Sequence, residues 1–174
     1  ELGKIWELKA EVLFIPNGVD IPTLRKEEKL FDLITVSRLI SLKRIENVIE
    51  IASELGLSLA IVGTGPAEAE LKAIAKNTDA KITFFGYLNQ SDILPLLEQS
   101  RYFALFSVHE GLSFALLEAM AAGTPPIASR INGNEVVISD NFDGYLVDVD
   151  DMEICKKQIE KIFLFATKKS SAAS

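Results

Sequence analysis

A chain of 174 residues, 48% hydrophobic and 25% charged, has length for one domain with a sizeable core and the composition of an ordinary globule. Its net charge of −7 argues against a general nucleic-acid surface, which needs a basic stripe, so an anionic ligand must be met by a local cluster of cations. The single cysteine, Cys155, excludes an internal disulfide and a cysteine metal cluster, and no apolar run approaches the roughly 18 residues that span a bilayer.

Glu1–Ala10 reads as a short helix or connecting segment. Glu11–Asp20 (EVLFIPNGVD) reads as a short strand ending in the turn signal Pro16-Asn17-Gly18. With the charged loop Pro22–Leu30 they form an N-terminal segment and linker, residues 1–30. From Phe31 the pattern turns regular. Apolar runs of strand length occur at Leu33–Val36, Leu57–Val62, Ile82–Phe85, Tyr102–Phe106, Pro126–Ala128 and Tyr145–Val147.

Helical patterns separate them. Arg44–Leu55 places Ile45, Val48, Ile49, Ala52 and Leu55 on one stripe with Gly56 as the stop, and Pro66 suits the first position of the next helix. Ser91–Gln99 is a shorter helix whose regular part should start late because of Pro95. A further helix follows at Phe114–Ala122, and Asp150 or Asp151 caps the last one. Strands apolar throughout, alternating with helices, predict an α/β domain over residues 31–167. It is a doubly wound parallel sheet of Rossmann-like form. Lys168–Ser174 (KKSSAAS) reads as a disordered tail, and a chain starting at Glu1 without methionine or signal peptide reads as a fragment or processed product.

In open parallel sheets ligands collect at the carboxyl ends of strands. After the strand at Tyr102–Phe106 comes Ser107–Gly123, SVHEGLSFALLEAMAAG. Gly111, Leu112, Ser113 and Phe114 lead into a helix with Ser113 as N-cap, and free amides at a helix start attract phosphate. Glu110 and Glu118 bracket that start, ready to accept hydrogen bonds from hydroxyls. Glu118 sits among small and apolar neighbours, an unusual place for a solvated charge. A ligand with phosphates and vicinal hydroxyls, such as a nucleotide-sugar, satisfies both features. The loop after the first strand adds Arg38 and Lys43, a planar fork and a movable point charge suited to a diphosphate.

Several other motifs have simpler readings. Gly63-Thr64-Gly65 either forms a tight turn or lets the chain pass close to a nucleotide. It lacks the third glycine of a dinucleotide fingerprint, which lowers a dehydrogenase reading. Asp148-Val149-Asp150 matches a metal-binding D-x-D pattern but falls where a helix cap is needed, so no metal site is expected. His109, the one histidine, reads as a loop residue.

Glu110-Gly111-(x)6-Glu118-Ala-Met-Ala-x-Gly123 resembles the E-x7-E motif of retaining GT-B glycosyltransferases of the family-four, or group 1, type. Ser37-Arg38-Leu39 through Lys43-Arg44 resembles that family's G-R-L-x-x-x-K-G, with Ser37 at its first glycine and Arg44 at its last. Gly63-x-Gly65-Pro66, Phe85-Gly86 and Ile131–Glu135 resemble, in order, its G-x-G-P, F-x-G and G-G-x-x-E segments; at the last, the first glycine pair is absent.

The resemblance implies the C-terminal, donor-binding half of a GT-B enzyme. Arg38 and Lys43 would hold the donor diphosphate, Glu118 the ribose and Glu110 the sugar. Gly63, Gly65, Tyr87 and Leu88 would border the nucleotide. It further implies a UDP-, GDP- or ADP-sugar donor, retention of configuration, no cofactor and no metal. An acceptor-binding N-terminal half is missing, so the domain alone should be inactive. A cytoplasmic location is implied, with room for peripheral membrane association through the missing half. Two rivals remain: a non-catalytic nucleotide-binding module of the same fold, and a nucleotide-sugar epimerase of GT-B type, which the E-x7-E segment disfavours.

Overall fold

The computed structural model describes residues 18–23 and 27–172, with side chains to residue 166, so the elements expected within residues 1–17 lie outside it. Six strands alternate with helices: β1 (Phe31–Val36), α1 (Ile45–Glu54), β2 (Leu59–Val62), α2 (Glu68–Lys76), β3 (Ile82–Gly86), α3 (Gln90–Glu98), β4 (Ser100–Leu105), α4 (Phe114–Ala121), β5 (Pro126–Ser129), α5 (Asn132–Glu135), β6 (Tyr145–Val147) and α6 (Met152–Ala172). The strands form one sheet in the order β3-β2-β1-β4-β5-β6, every pairing parallel.

The two-residue period of a strand sends neighbours to opposite faces, and both faces are apolar here. Leu33, Tyr102 and Ala104 join Ile45, Ile49 and Cys155 in a core under α1, α2 and α6. Ile34, Phe103 and Leu105 join Leu97, Leu116 and Ala119 in a second core under α3 and α4. Each fully buried Leu, Ile or Phe in these layers contributes roughly 1.5–3 kcal/mol of transfer free energy. Burial pushes the Cys155 thiol up to about 12, helped by the nearby charges of Asp148 and Glu50, which leaves it a packing residue rather than a nucleophile.

Some element boundaries differ from expectation for local reasons. β1 starts at Phe31 because Asp32 is clasped by Ser58, whose backbone N–H and hydroxyl both donate to its carboxylate. β4 starts at Ser100, in register with Phe31, and the Ser100 hydroxyl donates back to Leu96 O. α3 runs through Pro95 instead of starting late. The proline removes one hydrogen bond to Ser91, but both residues lie on the exposed side, where water can serve the freed carbonyl. α6 continues to Ala172, past Lys168 where a disordered tail was expected; lysine and alanine are strong helix formers.

Candidate functional site

The sheet order reverses between β1 and β4. The crossover after β1 enters α1 on one face, and the crossover after β4 enters α4 on the other. Two loops leaving adjacent strands in opposite directions open a crevice at the carboxyl edge, the place where open α/β sheets take ligands. Those loops carry Arg38 and Lys43 on one side and Glu110 to Phe114 on the other.

The structure joins the two sides directly. Lys43 Nζ lies 2.5 Å from Glu110 Oε1, across 67 residues of sequence, and Leu42 O accepts from Val108 N–H at 2.9 Å. Both side chains are largely sheltered, Lys43 with 21% and Glu110 with 10% of its side chain exposed. Such a pair holds strongly, because losing either partner strands the other charge in a poorly solvated place. Glu110 Oε1 also accepts from Ser107 Oγ at 2.5 Å.

Behind Glu110, α4 starts as its sequence predicts. Ser113 is the N-cap, and its hydroxyl accepts from Leu116 N–H at 3.4 Å. That engages one of the four donors a helix start leaves open. Phe114, the first residue of α4, is exposed, while Leu116 and Ala119 are fully buried. Glu118, the one charge in the helix FALLEAMA, is half-buried and accepts from Gln90 Nε2 at 2.8 Å. A cavity of about 330 Å³ opens beside it, lined by Val19, Pro22, Ile93 and Leu94 together with Asp20 and Gln90.

The β2 loop serves the β1 loop. A Cβ at Gly63 would sit 1.9 Å from Ser37 O, and one at Gly65 would sit 2.2 Å from Leu39 O. Ser37 N–H donates to Val62 O and Leu39 N–H to Thr64 O. Thus both glycines allow a backbone-on-backbone contact beneath Arg38, and Gly63 N–H reaches on to Gly86 O. Arg38 itself is exposed and makes no ion pair among the described residues. Tyr87 is 76% exposed and Leu88 half-buried at the end of β3, two strands away from β1. Gly111 and Leu112 lie on the β4 loop, and a Cβ added at Gly111 would meet nothing within 4 Å among the described residues.

The remaining motifs are tied up locally. Asp150 pairs with Arg44 at 2.6 Å, and Asp148 Oδ1 accepts from Asp150 N–H. Asp151 is the residue that caps α6, accepting from Ile154 N–H. Among the described residues no group of three or more His, Cys, Asp or Glu is placed to hold a metal ion. Nor is any described helix long and apolar enough to cross a membrane. His109 is exposed. At Ile131–Glu135, the segment that resembles G-G-x-x-E, Glu135 is exposed, whereas Asn134 is fully buried.

Sequence reasoning missed Ser107, Ser129, Asn134 and Gln90. Ser107 had a usable signal: a hydroxyl three residues before Glu110, at the end of a wholly apolar strand. Gln90 had none, because its contact with Glu118 crosses 28 residues and depends on how α3 and α4 pack.

Known proteins share the sequence pattern and the fold of this chain. Residues 19–170 match the family model described as Glycosyl transferases group 1. N-acetyl-alpha-D-glucosaminyl L-malate synthase of Bacillus anthracis is 32% identical over 142 residues, covering 76% of this chain and 37% of that protein. The pneumococcal O-GlcNAc transferase GtfA, solved in complex with UDP and GlcNAc, superposes with a TM-score of 0.62 at 32% identity, covering 78% of this chain and 28% of that one. A point mutant of S. aureus TarM, solved with fondaparinux, alpha-GlcNAc-glycerol and UDP, gives a TM-score of 0.72 at 25% identity, covering 90% of this chain and 34% of that one. The chain therefore spans about a third of the length of the proteins it matches. With the family model matching the whole sheet and both crevice loops, the chain belongs to the Glycosyl transferases group 1 family.

Proposed function

We propose that this chain is the donor-binding domain of a retaining hexosyltransferase, and that its β1/β4 crevice takes a nucleoside-diphosphate sugar. The observation that carries the reading is the Lys43–Glu110 contact. It brings a cation and a hydroxyl acceptor together at the one place where the sheet order reverses.

The roles follow from the chemistry of each group. Lys43 and Arg38 meet the charge that grows on the departing diphosphate, and electrostatic help of this kind is commonly the largest catalytic contribution. Amides at the start of α4 add partial positive charge on the same side. Glu118 accepts the ribose hydroxyls, and Glu110 accepts from the sugar. Tyr87 and Leu88 border the base. UDP is the favoured nucleotide because the S. aureus TarM and pneumococcal GtfA complexes both contain it. The acceptor and its binding half come from the rest of the protein, so this domain binds donor without transferring it.

Calorimetry of this chain with UDP, GDP, ADP and their sugars tests the reading. UDP and a UDP-sugar should bind, and Glu118→Ala should weaken both by about 1.5–3 kcal/mol, the range for hydrogen bonds to charged groups. Absence of binding by every nucleotide, or an unchanged affinity in Glu118→Ala, would contradict it.

A further inference from the structure

Among the described residues, both side-chain hydrogen bonds to Glu110 fall on one oxygen. Lys43 Nζ and Ser107 Oγ each lie 2.5 Å from Oε1, and neither reaches Oε2. Ser107 is fully buried, and against a carboxylate its hydroxyl must be the donor.

Ser107 is itself held from below. Its carbonyl accepts from Ser129 Oγ at 2.7 Å. Asn134 Nδ2 donates to Ser129 O at 2.9 Å and lies 3.3 Å from Ser129 Oγ. Ser129 and Asn134 are both fully buried. The amide orientation is fixed by chemistry, since the Ser129 carbonyl only accepts and so must face the NH2 group. Asn134 Oδ1 is left buried without a partner among the described residues, a cost an apolar residue would avoid. Gly133 presses the same segment against the crevice loop: a Cβ there would sit 2.2 Å from Glu110 O and 2.3 Å from Gly111 O.

We propose that Ser107, seated by Ser129 and Asn134, is a positioning residue that holds Glu110 so that its Oε2 receives a hydroxyl of the donor sugar. The inference rests on the donor-binding reading above. Lys43 and Ser107 differ in how they respond to a donor. A diphosphate offers Lys43 a second acceptor and weakens its hold on Oε1. The neutral, buried Ser107 hydroxyl has no such competitor. It keeps the carboxylate in place at the moment the lysine is shared.

The test compares Ser107→Ala and the near-isosteric Ser107→Cys with the unaltered chain, by calorimetry with UDP, UDP-glucose, UDP-galactose and UDP-N-acetylglucosamine. The quantity read is the affinity gained by the best UDP-sugar over UDP. Ser107→Ala should cut that gain about tenfold while UDP itself changes by less than about twofold, and Ser107→Cys, a weaker donor, should fall between. An unchanged gain, an equal loss for UDP, or no gain in the unaltered chain overturns the proposal. If Ser107→Ala does not fold, Ser107→Cys carries the same comparison.

Failure of the donor reading looks different: the unaltered chain would bind no UDP at all. The unliganded crystal structure of the variant then decides. Glu110 Oε1 still against Lys43 in the same rotamer overturns the positioning role, and a carboxylate swung away supports it.

Discussion

Arg44 holds a backbone conformation that side chains ordinarily avoid, with φ 46° and ψ 43° between the 3-10 turn Ser41–Lys43 and α1. The resembled motif has glycine at this position, and the structure gives the reason: the chain passes through the left-handed region between the turn that carries Lys43 and the start of α1. The arginine recovers part of the cost by reaching Asp150 and Val149 O, which ties the β1 loop to the start of α6. Two substitutions separate these effects. Arg44→Ala keeps the strained backbone and loses the contacts, whereas Arg44→Gly loses the contacts but relieves the strain. The glycine variant should be the more stable of the two by about 1 kcal/mol in urea unfolding. An alanine variant of equal or greater stability would show that the backbone here is unstrained.

The crevice loops are built as a shelf, and glycines set its spacing. Gly63 combines φ 127° with a 1.9 Å approach to Ser37 O, so Gly63→Ala must push β2's loop off β1's loop. The expected loss is about 2 kcal/mol or more. Gly111, with nothing within 4 Å of an added Cβ, offers the contrast. Gly111→Ala should change stability by less than about 0.5 kcal/mol while weakening UDP binding, because its new methyl enters space that a donor would need. Thermal melts with UDP titrations on both variants check the pair. Equal destabilisation would mean that Gly111 serves the fold as Gly63 does.

At this scale the sequence was readable where burial was complete. β2 and β5 are buried at every position and stood out as apolar runs. The polar starts of β1 and β4, at Asp32 and Ser100-Arg101, did not, because they are held by specific side-chain bonds rather than by hydrophobicity. Pro95 misled for a related reason: the rule against proline inside helices weakens where the lost hydrogen bond faces water.

Across the whole molecule, the site depends on strand order, which no local pattern encodes. Lys43 and Glu110 were each recognisable by motif, but their meeting follows from β4 inserting beside β1. The same placement packs the β5 segment under Glu110, bringing Ser129 and Asn134 into a network invisible in the linear chain. Arg38 and Tyr87 are both exposed, but strand order separates them: Arg38 follows β1 at the crevice, whereas Tyr87 follows β3, two strands away.

Whether Lys43 faces the diphosphate of a nucleotide is read from titrating Lys43→Met with UDP and with uridine. UDP should bind about tenfold or more weakly while uridine changes by less than about twofold, since only the former carries charge for the lysine to meet. An equal loss for both ligands, or no loss for either, would contradict it.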